Sequence, residues 1–188
     1  MSVLLCSEIL IAIYRFLPLL QNRLYMAKLY INKDIVADKD KMENWYLTGE
    51  EGLSFPDIQN FLSWIDPNDH VIDIEIHSCG GDAVEGYAIY DALRASGKQI
   101  SCTAVGRCAS MATVILLAAA KERRFAYPHA KFLIHKPYMA SYDGDLDLET
   151  LESIKSNLES EKNKMLALYV ERLSLIHISE PTRLRCIS

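Results

Sequence analysis

Apolar and polar residues alternate along 71–77, where Val71, Ile72, Ile74 and Ile76 are interrupted by Asp73 and Glu75. A period of two marks a strand with one face in a core, here with the two acids on the open face. Residues 29–35 and the β-branched run 100–105 predict further strands, 45–47 a short one, and 125–127 and 131–135 the last two. Helical periods fall between them. Residues 54–65 predict a helix with Ser54 placed to cap it and Asp57 three positions on, the spacing of a capping box. Residues 83–96 set Ala83, Tyr87, Tyr90 and Leu93 on one face and end at Gly97. The run 110–120 is apolar all round, as a buried central helix is. Residues 146–173 form a long polar helix with a thin stripe of Leu148, Leu151, Ile154, Leu158, Met165, Leu166 and Tyr169. So sparse a stripe suits a helix on the outside of its domain or one that bridges to another subunit. Regular alternation of strand and helix, with no linker and no repeat of 20 to 50 residues, predicts an α/β domain.

Composition narrows the class. The 188 residues suit one domain with a sizeable core, half of them are apolar, and a net charge of −5 offers no general attraction to nucleic acid. The basic run Lys121-Glu122-Arg123-Arg124 reads as a solvated loop. Five cysteines, Cys6, Cys79, Cys102, Cys108 and Cys186, form neither a Cys-x-x-Cys pair nor an even set, which points to a reducing, cytoplasmic setting. Residues 1–25 are rich in Leu and Ile, but Glu8 and Arg15 interrupt them and no basic cluster precedes them, so neither a signal peptide nor a membrane span fits. Met26 reads as the natural start, leaving 1–25 as a spurious or disordered extension; the competing reading is an amphipathic docking or membrane segment. Residues 174–188 break the helical pattern and read as translated sequencing-adapter sequence in place of the true C-terminus, against the alternative of a natural strand and tail. The domain is therefore expected over 26–173.

Three short blocks carry candidate chemistry. Gly106-Arg107-Cys108-Ala109-Ser110-Met111-Ala112 puts a serine among small residues at the head of the apolar helix, and Ile134-His135-Lys136-Pro137 puts a histidine at a strand end. A serine hydroxyl is a poor nucleophile until a positioned base takes its proton, and histidine is the usual base. His77-Ser78-Cys79-Gly80-Gly81-Asp82 adds a Gly-Gly turn between strand and helix, able to present amides to a developing oxyanion. Each block alone has an ordinary structural reading; their order along alternating strands and helices joins them. The Gly-x-Ser-x-Gly elbow is absent, because Cys108 and Ala112 flank Ser110 at two residues on either side. Cys108 is a second candidate nucleophile, with small buried cysteine as its commoner role.

On these blocks, residues 26–173 resemble the Clp protease proteolytic-subunit family, and among its members the phage and prophage head-maturation type. The resemblance implies a ClpP/crotonase-like α/β fold of repeated β/α units with a long protruding C-terminal helix. It implies Ser110 as nucleophile, His135 as general base, and the amides of Gly81 and Met111 as oxyanion hole. Where the family has proline, this chain has Cys79. The third triad member stays unassigned: the last aspartate is Asp147, and Glu180 is the one acid after Leu173. An upstream carboxylate, Asp143, Asp145 or Asp147, is the remaining source, and the chain as written, lacking the family's acid, is expected to be impaired as a peptidase.

The likeness further implies a homo-oligomeric ring, of seven subunits, in which the long helix is the handle between rings and residues 138–145 form a loop near the active site. It implies a serine endopeptidase acting through an acyl-enzyme on protein or peptide substrates. Cys79 and the acidic insertion 43–52 favour head maturation, with phage capsid proteins as partners. The alternatives are a degradative subunit served by an ATP-dependent unfoldase, and a non-catalytic structural subunit. No cofactor, metal, nucleic acid or membrane partner is expected.

Overall fold

The isoleucines of the 71–77 alternation share one face, and around that face the fold is built. The structure, a computed structural model, describes residues 26–139, 144 and 146–173; the expected extension 1–25 and tail 174–188 lie outside them. Strands β1 (Met26–Ile31), β2 (Val71–Ser78), β3 (Gln99–Ala109) and β4 (Arg124–Ala126) lie side by side in that order, and β5 (Lys131–Leu133) pairs with β3. All the pairings are parallel, which requires crossover connections between paired strands, and the helices supply them. Ile72, Ile74 and Ile76 are fully buried, together with Ile31 of β1 and Cys102 and Ala104 of β3. Asp73 and Glu75 project from the other face, where Lys28 Nζ lies 3.0 Å from Glu75 and 3.7 Å from Asp73. Such exposed pairs contribute little stability.

The helices are α1 (Lys41–Thr48), α2 (Phe55–Trp64), α3 (Ala83–Ala95), α4 (Met111–Leu116) and α5 (Leu148–Leu173). At α2 the Asp57 carboxylate reaches back to the Ser54 amide at 2.8 Å, the expected capping box. The α3 helix caps on Asp82, which accepts from the Glu85 amide at 2.9 Å, while Glu85 accepts from the Phe55 amide of α2 at 2.6 Å. One residue thus joins the starts of two helices. Gly86 of α3 is where Met111 nests: a Cβ there would lie 2.6 Å from Met111 Cε. This close approach seats α4 between α3 and the sheet.

Several boundaries depart from the sequence reading. Residues 45–47 belong to helix α1 rather than a strand: among the described residues no strand pairs with them, and local bonds serve them instead, the Gly49 amide to Trp45 O and the Thr48 hydroxyl to Asn44 O, both at 2.8 Å. The α1 side chains Met42, Trp45, Tyr46 and Leu47 are exposed. β1 ends at Ile31, and Ile35 makes isolated bridges to Leu53 and Gly81. β3 runs on to Ala109, and α4 is shorter than expected, giving way to turns after Leu116. The 121–124 run is not simply solvated, because Arg124 folds back to donate to Ala119 O at 2.9 Å and to Arg172 O at 2.8 Å. Burial, and next the charge of Arg172, hold Arg124 below its usual pKa. Of the α5 stripe, Met165 and Tyr169 are buried, whereas Leu148, Leu151 and Leu166 stay exposed. The helix therefore docks through its C-terminal half. Among the described residues no helix is long and apolar enough to cross a membrane.

Candidate active site

The C-terminal ends of β2, β3 and β5 converge on one spot. β2 and β3 run in register to Ile76 opposite Ala104 and then slip, so that Ser78 faces Cys108. The extra residues of β3 bulge at Gly106, whose missing side chain leaves room for His77: a Cβ would lie 2.1 Å from His77 Nδ1. The Arg107 amide donates to that nitrogen at 3.3 Å. This slip carries Ala109 and Ser110 up against the Gly80-Gly81 turn.

Ser78 fastens the turn from below. Buried, it donates to Lys33 O at 2.7 Å and accepts from the Gly80 amide at 3.0 Å. Gly80 has φ +87, and a Cβ on it would lie 2.5 Å from Ala109 O, 2.7 Å from Met111 N and 2.8 Å from Ser110 Cβ. Only glycine meets both demands at once. Gly81, at φ +144, lies against Ile35, whose amide donates to Gly80 O and whose carbonyl accepts from Asp82 N, both at 2.8 Å. These bonds flank Gly81 and leave its own amide without a partner among the described residues. The Met111 amide, at the start of α4, has none there either. The Met111 side chain itself is buried.

Ser110 is half-buried and holds φ +51, ψ −125. Among the described residues no other non-glycine has a positive φ. Side chains avoid this region because Cβ crowds the backbone, and residues held there cluster at functional sites. The cause is local: β3 must turn into α4 within one residue while the Ser110 amide remains bonded to Leu133 O of β5 at 2.8 Å. That bond also brings the chain two residues upstream of His135 against the candidate nucleophile.

His135 is half-buried, and its ring lies 5.5 Å from that of Tyr138. Its Nδ1 lies 2.8 Å from Lys136 O. A carbonyl only accepts, so Nδ1 donates in this contact; in a neutral ring that leaves the lone pair on Nε2, the tautomer a general base requires. No hydrogen bond joins Ser110 Oγ to His135 among the described residues, and no carboxylate there bonds to His135. Asp147 is engaged elsewhere: its carboxylate accepts from the Thr150 amide at 2.7 Å, and this bond holds its pKa below the usual range. Asp143, Asp145 and Glu180 lie outside the described residues, as does most of the expected 138–145 loop. A shallow groove of about 350 Å³, lined by Lys136, Pro137, Leu151, Ile154 and Leu158 among others, opens beside the histidine segment.

Cys108 is not available as a nucleophile. It is fully buried, and burial pushes its thiol up to about 12, so it is protonated and out of reach at neutral pH. Cys79 is exposed, with the Arg107 guanidinium donating to its sulfur at 3.0 Å. The residues that sequence reasoning missed are supports. Besides Ser78 they are Thr113, whose hydroxyl donates to Ser110 O at 2.5 Å, and Arg172, which donates to Leu117 O at 3.1 Å and to Ala119 O at 2.9 Å beyond α4.

A family model for Clp proteases matches residues 57–174, more than half the chain. The chain belongs to the Clp protease family. It is 37% identical over 106 residues to the ATP-dependent Clp protease proteolytic subunit of Porphyromonas gingivalis, covering 54% of this chain and 48% of that one. It is 38% identical over 96 residues to the ATP-dependent Clp protease proteolytic subunit 2 of Treponema denticola, covering 51% and 48%. This chain thus spans about half the length of the curated relatives it matches. Its fold resembles that of a ClpP1 mutant from Listeria monocytogenes, with a TM-score of 0.60 and 19% identity over 85% of this chain and 77% of that one. The parallel sheet and long C-terminal helix are those of the Clp protease fold.

Proposed function

We propose that this chain is a serine endopeptidase in which Ser110 is the nucleophile and His135 the general base. Ser110 Oγ attacks the scissile carbonyl carbon while its proton passes to His135 Nε2. The Gly81 and Met111 amides hold the oxyanion of the tetrahedral intermediate. Its collapse breaks the C–N bond, and the leaving amine takes the proton from His135. Water then hydrolyses the acyl-enzyme, giving a proton back through the same histidine. The observation that carries this reading is the strained φ of Ser110, held at a strand-to-helix turn against two glycines, with the Gly81 and Met111 amides unpartnered among the described residues. A fluorophosphonate should label Ser110, and Ser110→Ala should abolish labelling. Label retained in the alanine variant would sink the assignment, and a folded chain that never labels would favour the non-catalytic structural subunit.

Two roles suit the same chemistry. The relatives in Porphyromonas gingivalis and Treponema denticola are both called ATP-dependent proteolytic subunits, which supports a degradative role with an unfoldase. Cys79 at the oxyanion turn and the exposed α1 insertion support the head-maturation role. The half-open sheet face and the exposed Phe125, Phe132 and Leu133 beside it support assembly into a ring. Co-incubation with an ATP-driven unfoldase, set against cleavage of a phage capsid protein without ATP, separates the two roles.

A further inference from the structure

The Ser110 carbonyl receives two donors from Thr113, its amide at 3.0 Å and its hydroxyl at 2.5 Å. Thr113 has one hydroxyl proton, and the carbonyl takes it. The bond between Thr113 Oγ1 and the hydroxyl of Tyr169 must therefore be donated by Tyr169. Both side chains are buried, and burial pushes Tyr169 up to about 12, so it remains a donor across any pH at which a peptidase is assayed. The result is a directed relay, Tyr169 O–H to Thr113 O–H to Ser110 C=O, joining residues 56 positions apart. Polarisation along such a chain strengthens its last bond.

The atom at the end of the relay matters because of peptide planarity. The Ser110 carbonyl and the Met111 N–H belong to one trans peptide unit and point in opposite directions. Whatever aims the carbonyl aims the amide. The same unit follows the strained Ser110, whose ψ of −125 sets where that plane lies. Arg172, one turn beyond Tyr169, grips Leu117 O and Ala119 O past the far end of α4. Thus α5 holds α4 at both ends.

We infer that Tyr169, acting through Thr113, is a positioning residue that holds the Ser110–Met111 peptide so that the Met111 amide faces the oxyanion. It rests on the serine peptidase reading above and adds to it a positioning residue on α5.

Hydrolysis of an unstructured peptide and the rate of fluorophosphonate labelling test this on the full chain. Tyr169→Phe keeps the ring and should lower kcat and the labelling rate roughly tenfold with KM unchanged, and Thr113→Val, which removes the relay's middle, should lower them by roughly 10². Thr113→Ser, which keeps the hydroxyl, should restore a rate close to that of the parent chain. Tyr169→Phe should have no further effect in the Thr113→Val background, since both changes cut one chain. Variants with lowered melting temperature and unchanged kcat would overturn the inference, as would additive effects in the double variant. If the parent chain itself fails to label at Ser110, the peptidase reading falls first, and the relay is overturned as a catalytic support with it.

Discussion

Ser110 and Gly80 occupy backbone conformations that cost energy in opposite ways. Gly80 needs its missing side chain twice over, for φ +87 and for the 2.5 Å approach to Ala109 O, whereas Ser110 accepts strain despite having a side chain. Gly80→Ala should therefore push Ser110 out of place and lower the fluorophosphonate labelling rate by at least about 10², the cost of a lost oxyanion donor, in a protein whose circular dichroism still shows the fold. Gly97 supplies the contrast. It has φ +69 but nothing within 4 Å of a Cβ, so Gly97→Ala should lower stability by about 1 kcal/mol through left-handed strain alone and leave labelling unchanged. Equal labelling losses in the two variants would show that strain, not contact with Ser110, is the cause. At this scale Ser110, His135, Gly80 and Gly81 could be picked out as candidates because each lies in a local motif. Ser78, Thr113 and Arg124 could not, because a buried hydroxyl or a basic residue in a short loop carries no local mark of the carbonyl it will meet.

The elements are held mainly at their ends. Helix α2 begins on Ser54, whose amide donates to Asp57, while Lys41 of α1 lies 2.8 Å from the Asp57 carboxylate and 3.0 Å from Asp38. Burial raises the pKa of Asp57, but the bonds from Lys41 and Ser54 outweigh it and hold the group below its ordinary 3.8. The folded protein thus keeps this carboxylate ionised to lower pH than the unfolded chain does. As pH falls below about 4 the unfolded chain takes up the proton first, and the stability that ionised Asp57 contributes is lost through that window. Urea midpoints measured from pH 6 to 3 should fall less steeply in Asp57→Asn than in the parent, with the variant already weaker at pH 6; parallel curves would show that the cap does not titrate with folding. The capping box could be read directly from Ser54 and Asp57, since it is a relation across three residues. The fate of 45–47 could not, because strand propensity needs a neighbouring strand to act and the described residues supply none there.

The molecule as a whole leaves much apolar surface uncovered. Phe125, Tyr127, Phe132, Leu133 and Tyr138 are exposed along the β4 and β5 side, and Leu148 and Leu151 along the free half of α5. A parallel sheet is normally buried on both faces, yet here one face carries Lys28, Asp73 and Glu75. A ring of identical subunits would cover the β4 and β5 side, and a second ring would cover the free half of α5. Light scattering should therefore give a mass several times 21.3 kDa. Leu148→Glu together with Leu151→Glu should shift paired rings to single rings without dissociating each ring. A monomer at all concentrations would defeat the assembly proposal, and loss of every oligomer in the double variant would place the ring contacts on α5 instead.

Periodicity and local motifs were enough to establish the alternation of strand and helix, the buried α4, the long outer helix and the identity of the residues that carry candidate chemistry. Each is a relation between near neighbours, so the chain displays it before it folds. Tertiary structure decided the rest. It set the slip between β2 and β3 that brings Ser110 to Gly80, excluded Cys108 by burial, gave His135 Nδ1 the Lys136 carbonyl, and joined Tyr169 to Thr113. All but the Lys136 contact depend on groups distant in sequence meeting in space or leaving water, and that one depends on the rotation of a single ring. Hydrophobic pattern and spacing encode none of these quantities.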